Sequence, residues 1–114
     1  MTPLAHGSVI WVDLNPTRGR EQKGRRPALV IASQDYLDSV PDLVIVVPLT
    51  TTDRGWPHHV PVNGADVRLT RPSFAMTEQP RTIPRDRITR VGGVADEATL
   101  TAVHGWLRDF ISPH

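Results

Sequence analysis

The chain has 114 residues, of which 39% are apolar, with a formal net charge of +1 and no cysteine. This length predicts one domain spanning residues 1–114, small enough that burial against a partner would add stability. The composition excludes a disulfide framework, and no apolar run approaches the roughly 20 residues of a membrane-spanning helix. With no charged-then-apolar leader at its start, the sequence favours a soluble, cytoplasmic protein without a membrane partner.

The basic residues are concentrated in one segment. All thirteen except Lys23 are arginine, and five of them fall between residues 18 and 26 beside a single acid, Glu21. Arginine carries a permanent charge and a planar fork of donors that fits phosphate oxygens. The segment therefore predicts a phosphate-binding loop, and the alternative is a solvated charged loop.

The first half of the chain predicts three strands. Residues 7–14 alternate apolar and polar positions and end at Asn15-Pro16, since proline has no donor for a ladder. A loop over residues 17–24 leads to Pro27, which starts a second strand through Ala32. Residues 43–49 are apolar on both faces, which indicates a central strand, and Pro48 predicts that pairing stops or bulges there.

The second half predicts shorter strands and one helix. Residues 53–57 form a turn, and short strands follow at residues 58–62, 73–79 and 88–91. Helical spacing of Leu100, Val103, Leu107, Phe110 and Ile111 predicts a helix, with Leu100, Val103, Leu107 and Ile111 in the core. Asp96 is its expected N-cap and Ser112-Pro113 its end, while Gly105 suggests the close approach of another element. The predicted fold is α+β and mostly β, an antiparallel sheet with a C-terminal amphipathic helix.

Three segments carry a resemblance to a known family. Residues 7–31 read GSVIWVDLNPTRGREQKGRRPALVI, residues 44–52 read VIVVPLTTT, and residues 78–83 read EQPRTI. In these motifs, and over nearly the whole chain, the sequence closely resembles the MazF/PemK family of toxin endoribonucleases. The resemblance implies a small SH3-like antiparallel barrel of the CcdB/MazF type and a homodimer. It further implies cleavage of single-stranded RNA at a short sequence without a metal or other cofactor, and a cognate antitoxin that binds through its acidic C-terminal tail.

The resemblance also assigns roles to individual residues. The family's catalytic arginine falls on Arg26 and its catalytic threonine on Thr50, while the acid of the Gly-x-Glu-Gln loop falls on Glu21. Some PemK-type relatives carry a histidine and a further arginine where this chain has Arg20 and Met76, which argues against a histidine-assisted mechanism here.

The chemistry of these side chains is consistent with that assignment. Arg26 suits stabilisation of the phosphoryl oxygens, Thr50 can donate a hydrogen bond to one of them, and Glu21 is a candidate base. Each has a structural alternative: an ion pair for Arg26 or Glu21, and a backbone contact for Thr50. The predicted RNA contacts lie in the loops that flank these positions: Arg18, Arg20, Lys23, Arg25, Thr51, Arg54, Trp56, Glu78 and Gln79.

The remaining conspicuous side chains receive structural interpretations. His58 and His59 are adjacent, so on a strand they would point to opposite faces, and no metal site is predicted. Trp11 and Trp106 are interpreted as core or interface residues, whereas Trp56 in its turn suits base stacking. Two functional alternatives stay open from the sequence: a toxin of the same barrel type that poisons DNA gyrase, and a non-catalytic SH3-like binding module.

Overall fold

An antiparallel sheet forms most of the fold, and the structure, a computed structural model, describes residues 3–13 and 25–113. The strands are β1 (Ser8–Asp13), β2 (Arg25–Val30), β3 (Leu43–Thr50), β4 (His59–Pro61), β5 (Phe74–Met76), β6 (Arg81–Pro84) and β7 (Ile88–Val94). The helices are α1 (Gln34–Ser39) and α2 (Glu97–Ile111), with a short 3-10 turn at Arg85–Arg87. No helix in the described part of the chain has the length and apolarity to cross a membrane.

Strand β3 organises the sheet, whose order is β4-β5-β3-β2-β1-β7 with β6 also paired to β3. One edge of β3 pairs with β2, and the other pairs first with β6 up to Val46 and then with β5 from Leu49. Pro48 lies between these last two partners, where a missing donor interrupts neither ladder. The strand runs on to Thr50 through its pairing with β5, whereas its pairing with β2 ends at the Ala28–Pro48 pair, so the prediction that pairing stops at Pro48 is confirmed on that side.

The mostly β antiparallel architecture with a C-terminal helix is confirmed. Strands β4 and β7 stand at the two ends of the order, and among the described residues no pairing joins them. The sheet therefore curves over its core without closing into a continuous ladder.

Alternation along the central strands creates two cores. Val9, Leu29 and Val47 face one side, where they pack with Val103 and Leu107 of α2. The residues between them on the same strands face the other side and pack with Leu37 of α1: Ile10, Ala28, Val30 and Val46. The three central strands are thus buried on both faces, as predicted for residues 43–49.

Helix α2 begins as predicted at Asp96, whose carboxylate accepts a hydrogen bond from the Thr99 N–H at 2.9 Å. The prediction that Ile111 belongs to the core is wrong. Phe110 and Ile111 are 49% and 72% exposed, because the last turn extends beyond the layer that buries Val103 and Leu107.

Two elements were not predicted from the sequence. Helix α1 is short and depends on Ser33, whose hydroxyl accepts from the Tyr36 N–H at 3.1 Å. Strand β6 is flanked by prolines and forms because residues 43–46 of β3 offer it a free edge. Both elements are defined by local capping or tertiary pairing rather than by a periodic apolar pattern.

Alanine substitution at two glycines is expected to change the free energy of unfolding in opposite directions. A Cβ at Gly93 would lie 2.4 Å from backbone atoms of Asp66, whereas a Cβ at Gly105 would meet nothing within 4 Å, so the expected close approach at Gly105 is wrong. We expect Gly93→Ala to lower the free energy of unfolding by about 1–3 kcal/mol through the clash. Gly105→Ala should raise it by about 1 kcal/mol through helix propensity. Urea unfolding of both variants checks this, and equal effects of the same sign would contradict it.

A histidine pair attaches the N-terminal segment to α2. The Nε2 atoms of His6 and His104 lie 3.0 Å apart with the rings stacked, and His6 Nδ1 lies 2.9 Å from the Ala32 carbonyl oxygen. Burial lowers the pKa of His104, and the neighbouring His6 and Arg108 lower it further.

This lowered pKa predicts a loss of stability in mild acid. Below the ordinary histidine pKa of about 6.5 the unfolded chain binds a proton that folded His104 resists, so folding becomes less favourable as the pH falls. We expect the free energy of unfolding to decrease between about pH 7.5 and 5.5, and His104→Gln to reduce that decrease. Urea unfolding at several pH values measures it, and an unchanged pH dependence in the variant would exclude His104 as its source.

Candidate active site and basic cleft

The central strands bring Arg26 and Thr50 to one edge of the sheet. Strand β2 pairs with β3 in the register Ala28 with Pro48 and Leu29 with Val47. Continuing this antiparallel register by two residues places Arg26 opposite Thr50. Arg26 is exposed and Thr50 is half-buried, so this edge presents a cation and a hydroxyl beside solvent.

Strand alternation separates the two neighbouring arginines. Arg25 lies on the same face of β2 as Pro27, which pairs with Trp11 of β1. Arg26 lies on the opposite face, the face of Ala28, and pairs with Val12. The two consecutive guanidinium groups therefore lie on opposite faces of the sheet.

The Thr50 hydroxyl already has one structural contact. Its oxygen accepts a hydrogen bond from the Thr52 N–H at 3.1 Å, which stabilises the turn that follows β3. This is the backbone role foreseen as the alternative for Thr50. It uses an oxygen lone pair and leaves the hydroxyl proton able to donate to a ligand.

A basic cleft of about 330 Å³ opens beside this edge, on the face of Arg25. Its lining residues include Trp11, Pro27 and Thr51 together with three arginines, Arg68, Arg71 and Arg90. None of these three arginines forms an ion pair with another described residue, and the Arg90 guanidinium lies 4.3 Å from the centre of the Trp11 ring. The cleft thus combines cations with an aromatic wall, the pairing that nucleic-acid surfaces use.

Residues Arg68, Arg71 and Arg90 were missed from the sequence. They lie outside the family motifs, and the signal that was available is the nearly exclusive use of arginine for the basic residues. Arg68 also has a left-handed backbone with φ of 59°. Residues other than glycine rarely adopt this φ, and with it the Arg68 side chain lines the cleft.

Close backbone contact holds this wall against β7. The Gly93 N–H donates to the Asp66 carbonyl oxygen at 2.8 Å, and Gly92 and Gly93 have no side chains to keep the segment away. Gly92 and Gly93 of β7 therefore allow the close contact that fixes the positions of Arg68 and Arg71.

The turn after β3 presents the predicted base-reading residues to solvent. Thr51, Arg54 and Trp56 are all exposed. Asp53 accepts from the Gly55 N–H at 2.9 Å, which tightens the turn, and the Arg54 guanidinium lies 5.1 Å from the Trp56 ring centre. Trp56 remains 45% exposed although it stacks on His58.

The Glu78 carboxylate contacts two histidine side chains. Both of its oxygens lie 3.1 Å from His59 Nε2, and one lies 3.6 Å from His58 Nε2. Burial raises the pKa of Glu78, but hydrogen bonds from His59, its own backbone N–H and the Gln79 side chain outweigh this, so the pKa is lowered overall.

The prediction that His58 and His59 point to opposite faces is wrong, because the Nε2 atoms of both lie within 3.6 Å of the Glu78 carboxylate. Strand β4 begins only at His59, so alternation does not apply to His58, which lies in the preceding turn. Gln79 is exposed beside them, and its amide donates to Glu78 at 3.3 Å.

Several predicted residues lie outside the described part of the chain: Arg18, Arg20, Glu21 and Lys23. The described edge therefore contains two of the three predicted catalytic residues, Arg26 and Thr50.

Comparison with known proteins gives consistent matches. Residues 5–111 match the family described as PemK-like, MazF-like toxin of type II toxin–antitoxin system. The chain is 38% identical over 93 residues to the endoribonuclease toxin MazF of Escherichia coli K12, covering 80% of this chain and 79% of that protein. It is 35% identical over 88 residues to endoribonuclease EndoA of Bacillus subtilis, covering 75% of each.

Solved structures agree with this. The MazF crystal structure from Deinococcus radiodurans is 26% identical, with a TM-score of 0.74 over 99% of this chain and 100% of that one. A MazE–MazF crystal structure from the same organism is 25% identical, with a TM-score of 0.80 over the full length of both chains.

Proposed function

Because this chain belongs to the family of PemK-like, MazF-like toxins of type II toxin–antitoxin systems, we propose that it is a toxin that cleaves single-stranded RNA as a sequence-selective endoribonuclease. The observation that supports this proposal is the register of β2 and β3, whose last pair, Ala28 with Pro48, leaves Arg26 and Thr50 two residues further along at the same end of the two strands. The names of the relatives from Escherichia coli and Bacillus subtilis, both endoribonucleases, support the reaction type.

The proposed reaction is attack of a ribose 2′-hydroxyl on the adjacent phosphorus. The P–O5′ bond breaks, the leaving O5′ takes a proton from solvent, and the products are a 2′,3′-cyclic phosphate and a 5′-hydroxyl. Arg26 stabilises the negative charge that develops on the phosphoryl oxygens, and Thr50 donates its hydroxyl proton to one of them. Glu21 is the proposed acceptor of the 2′-proton. No step in this scheme requires a metal ion.

The proposed RNA path follows the basic cleft. Arg25 and the cleft arginines Arg68, Arg71 and Arg90 bind backbone phosphates, since they are cations with no ion-pair partner among the described residues. Arg18, Arg20 and Lys23 of the preceding loop extend this contact.

The proposed base contacts lie in two turns. Thr51, Arg54 and Trp56 follow β3, and Trp56 offers an exposed aromatic surface for stacking. Gln79, with Glu78, follows β5 and offers an exposed amide for hydrogen bonds to base edges.

The proposed assembly is a homodimer that is neutralised by a cognate antitoxin in the cytoplasm. The MazE–MazF structure from Deinococcus radiodurans supports a proteinaceous antitoxin as partner. A cluster of unpaired arginines would attract an acidic antitoxin segment by the same electrostatics that attract RNA.

Arg26→Ala tests the catalytic assignment. Loss of a charge-stabilising donor is expected to lower the cleavage rate by about 10²–10³-fold or more while the fold is kept, because Arg26 is exposed at a strand start. The measurement is cleavage of a labelled RNA pool in EDTA, with end analysis for cyclic phosphate. Arg108→Ala, an exposed arginine on α2, is the matched control and should cleave at the wild-type rate.

Rapid cleavage by Arg26→Ala would overturn the assignment of the catalytic edge. No cleavage by the wild-type chain on a mixed RNA pool would overturn the endoribonuclease proposal. Arrest of DNA gyrase in that case would support the gyrase-poison alternative, and neither activity would support the binding module.

The cleft arginines predict a measurable salt dependence. Each phosphate contact to single-stranded RNA contributes about 0.7 to the slope of log affinity against log salt concentration. We therefore expect Arg71→Ala, made in the non-cleaving Arg26→Ala background, to weaken RNA binding and reduce that slope by about 0.7. The control is Arg108→Ala in the same background. Equal salt slopes for the Arg71→Ala and Arg108→Ala variants would exclude the cleft from the RNA path.

A further inference from the structure

Three side chains with metal-binding atoms converge where β4 begins and β5 has ended. A ring nitrogen of His58, a ring nitrogen of His59 and a carboxylate oxygen of Glu78 all lie within 4.8 Å of one another. Within residues 3–13 and 25–113 this is the one group of three or more potential ligands of that kind. We propose that His58, His59 and Glu78 bind one divalent transition-metal ion of the zinc class per chain.

Two of the three distances between the donor atoms match those of such an ion, and all three lie within 4.8 Å. A four-coordinate zinc with bonds of about 2.0–2.2 Å holds neighbouring donors roughly 3.4 Å apart. Glu78 Oε1 lies 3.1 Å from His59 Nε2 and 3.6 Å from His58 Nε2, on either side of that value. Imidazole nitrogen and carboxylate oxygen are also the ligand types that zinc accepts in three-ligand sites.

The exposure of the three side chains suits a site with one open coordination position. His59 is a fixed anchor with 2% of its side chain exposed, whereas the side chains of His58 and Glu78 are 26% and 32% exposed. The two exposed ligands can adjust by small rotations about the anchor. Solvent on their outer side supplies the fourth ligand.

Binding replaces a hydrogen bond by a metal bond. Without metal, His59 Nε2–H donates to the Glu78 carboxylate. With metal, Nε2 becomes the ligand, so the ring proton moves to Nδ1 or leaves to solvent. Nδ1 is buried and has no hydrogen-bond partner among the described residues, so we expect an affinity weaker than that of a structural zinc finger.

The ion would add a link between two turns that already meet where His59 of β4 pairs with Met76 of β5. The backbone carbonyl of His58 already accepts a hydrogen bond from the Thr77 hydroxyl at 2.6 Å, and the ion adds a bond from the same turn to Glu78. Thr50 pairs with Phe74 at the start of β5, whereas Glu78 follows its end. The ion therefore stabilises the fold near Trp56 and supplies no chemistry to the Arg26–Thr50 edge.

The test uses the untagged full chain, titrated with Zn²⁺ in a calorimeter and with Co²⁺ in a visible spectrometer. We expect one ion per chain, d–d bands of a four- or five-coordinate Co²⁺ complex, and a melting temperature that rises with Zn²⁺ concentration. His58→Gln and Glu78→Gln should each weaken binding by about tenfold or more. Both substitutions keep the buried His59 in place as a ligand, and circular dichroism without metal verifies the fold.

His104→Gln is the matched control, because it removes a histidine from the separate pair with His6. That variant should bind Zn²⁺ as the wild-type chain does. The proposal is overturned if no ion binds up to about 1 mM, the weak end of the affinity scale. It is equally overturned if neither His58→Gln nor Glu78→Gln weakens Zn²⁺ binding, or if His104→Gln abolishes Zn²⁺ binding. None of these readouts depends on RNA cleavage, so they stand apart from the proposed enzymatic function.

Discussion

The pairing register of β1, β2 and β3 is the constraint on which the rest of the structure depends. These strands are buried on both faces, between Val103 and Leu107 of α2 on one side and Leu37 of α1 on the other. A slip of one residue would exchange the side chains of the two cores, so packing on both faces specifies one register. That same register fixes which polar residues meet where the strands leave the core, and it directs Arg26 toward Thr50.

The position of the Arg26–Thr50 edge follows from where burial ends. Ala28 and Val30 of β2 are buried, but Arg25 and Arg26 are exposed, so the strand changes from core to surface within a few residues. Strand alternation continues through this change and gives each arginine a different face. A single short segment can thus contribute Arg26 to the edge that contains Thr50 and Arg25 to the face that carries the basic cleft.

The sequence predicts those parts of the fold that depend on regular periodicity. Alternation in β1 and the apolar run of β3 indicate buried strands, and the Asp96 cap with the spacing of Val103 and Leu107 indicates α2. The family motifs add Arg26 and Thr50, which the structure directs to one edge. Periodicity fails at element ends: Ile111 continues the helical pattern after the core has ended, and His58 precedes the strand whose alternation was applied to it.

The rest depends on contacts between segments that are distant in the sequence. Strand β6 forms because β3 offers an edge, and the group of His58, His59 and Glu78 forms because β4 pairs with β5. Neither pairing leaves a local pattern. The cleft arginines illustrate the same limit, since Arg68 and Arg90 become neighbours only when residues 66–71 pack on β7.

The manner in which residues 66–71 are attached has a consequence for how such a protein can diversify. This segment belongs to no strand and is anchored to β7 through the Gly93 hydrogen bond to Asp66. The anchor itself is made by backbone atoms, whereas Val67 is buried and Leu69 packs against the core. The side chains at the exposed positions 70 and 71 can therefore change over generations at little cost to the central sheet, so the character of the cleft can drift while the Arg26–Thr50 edge stays constant.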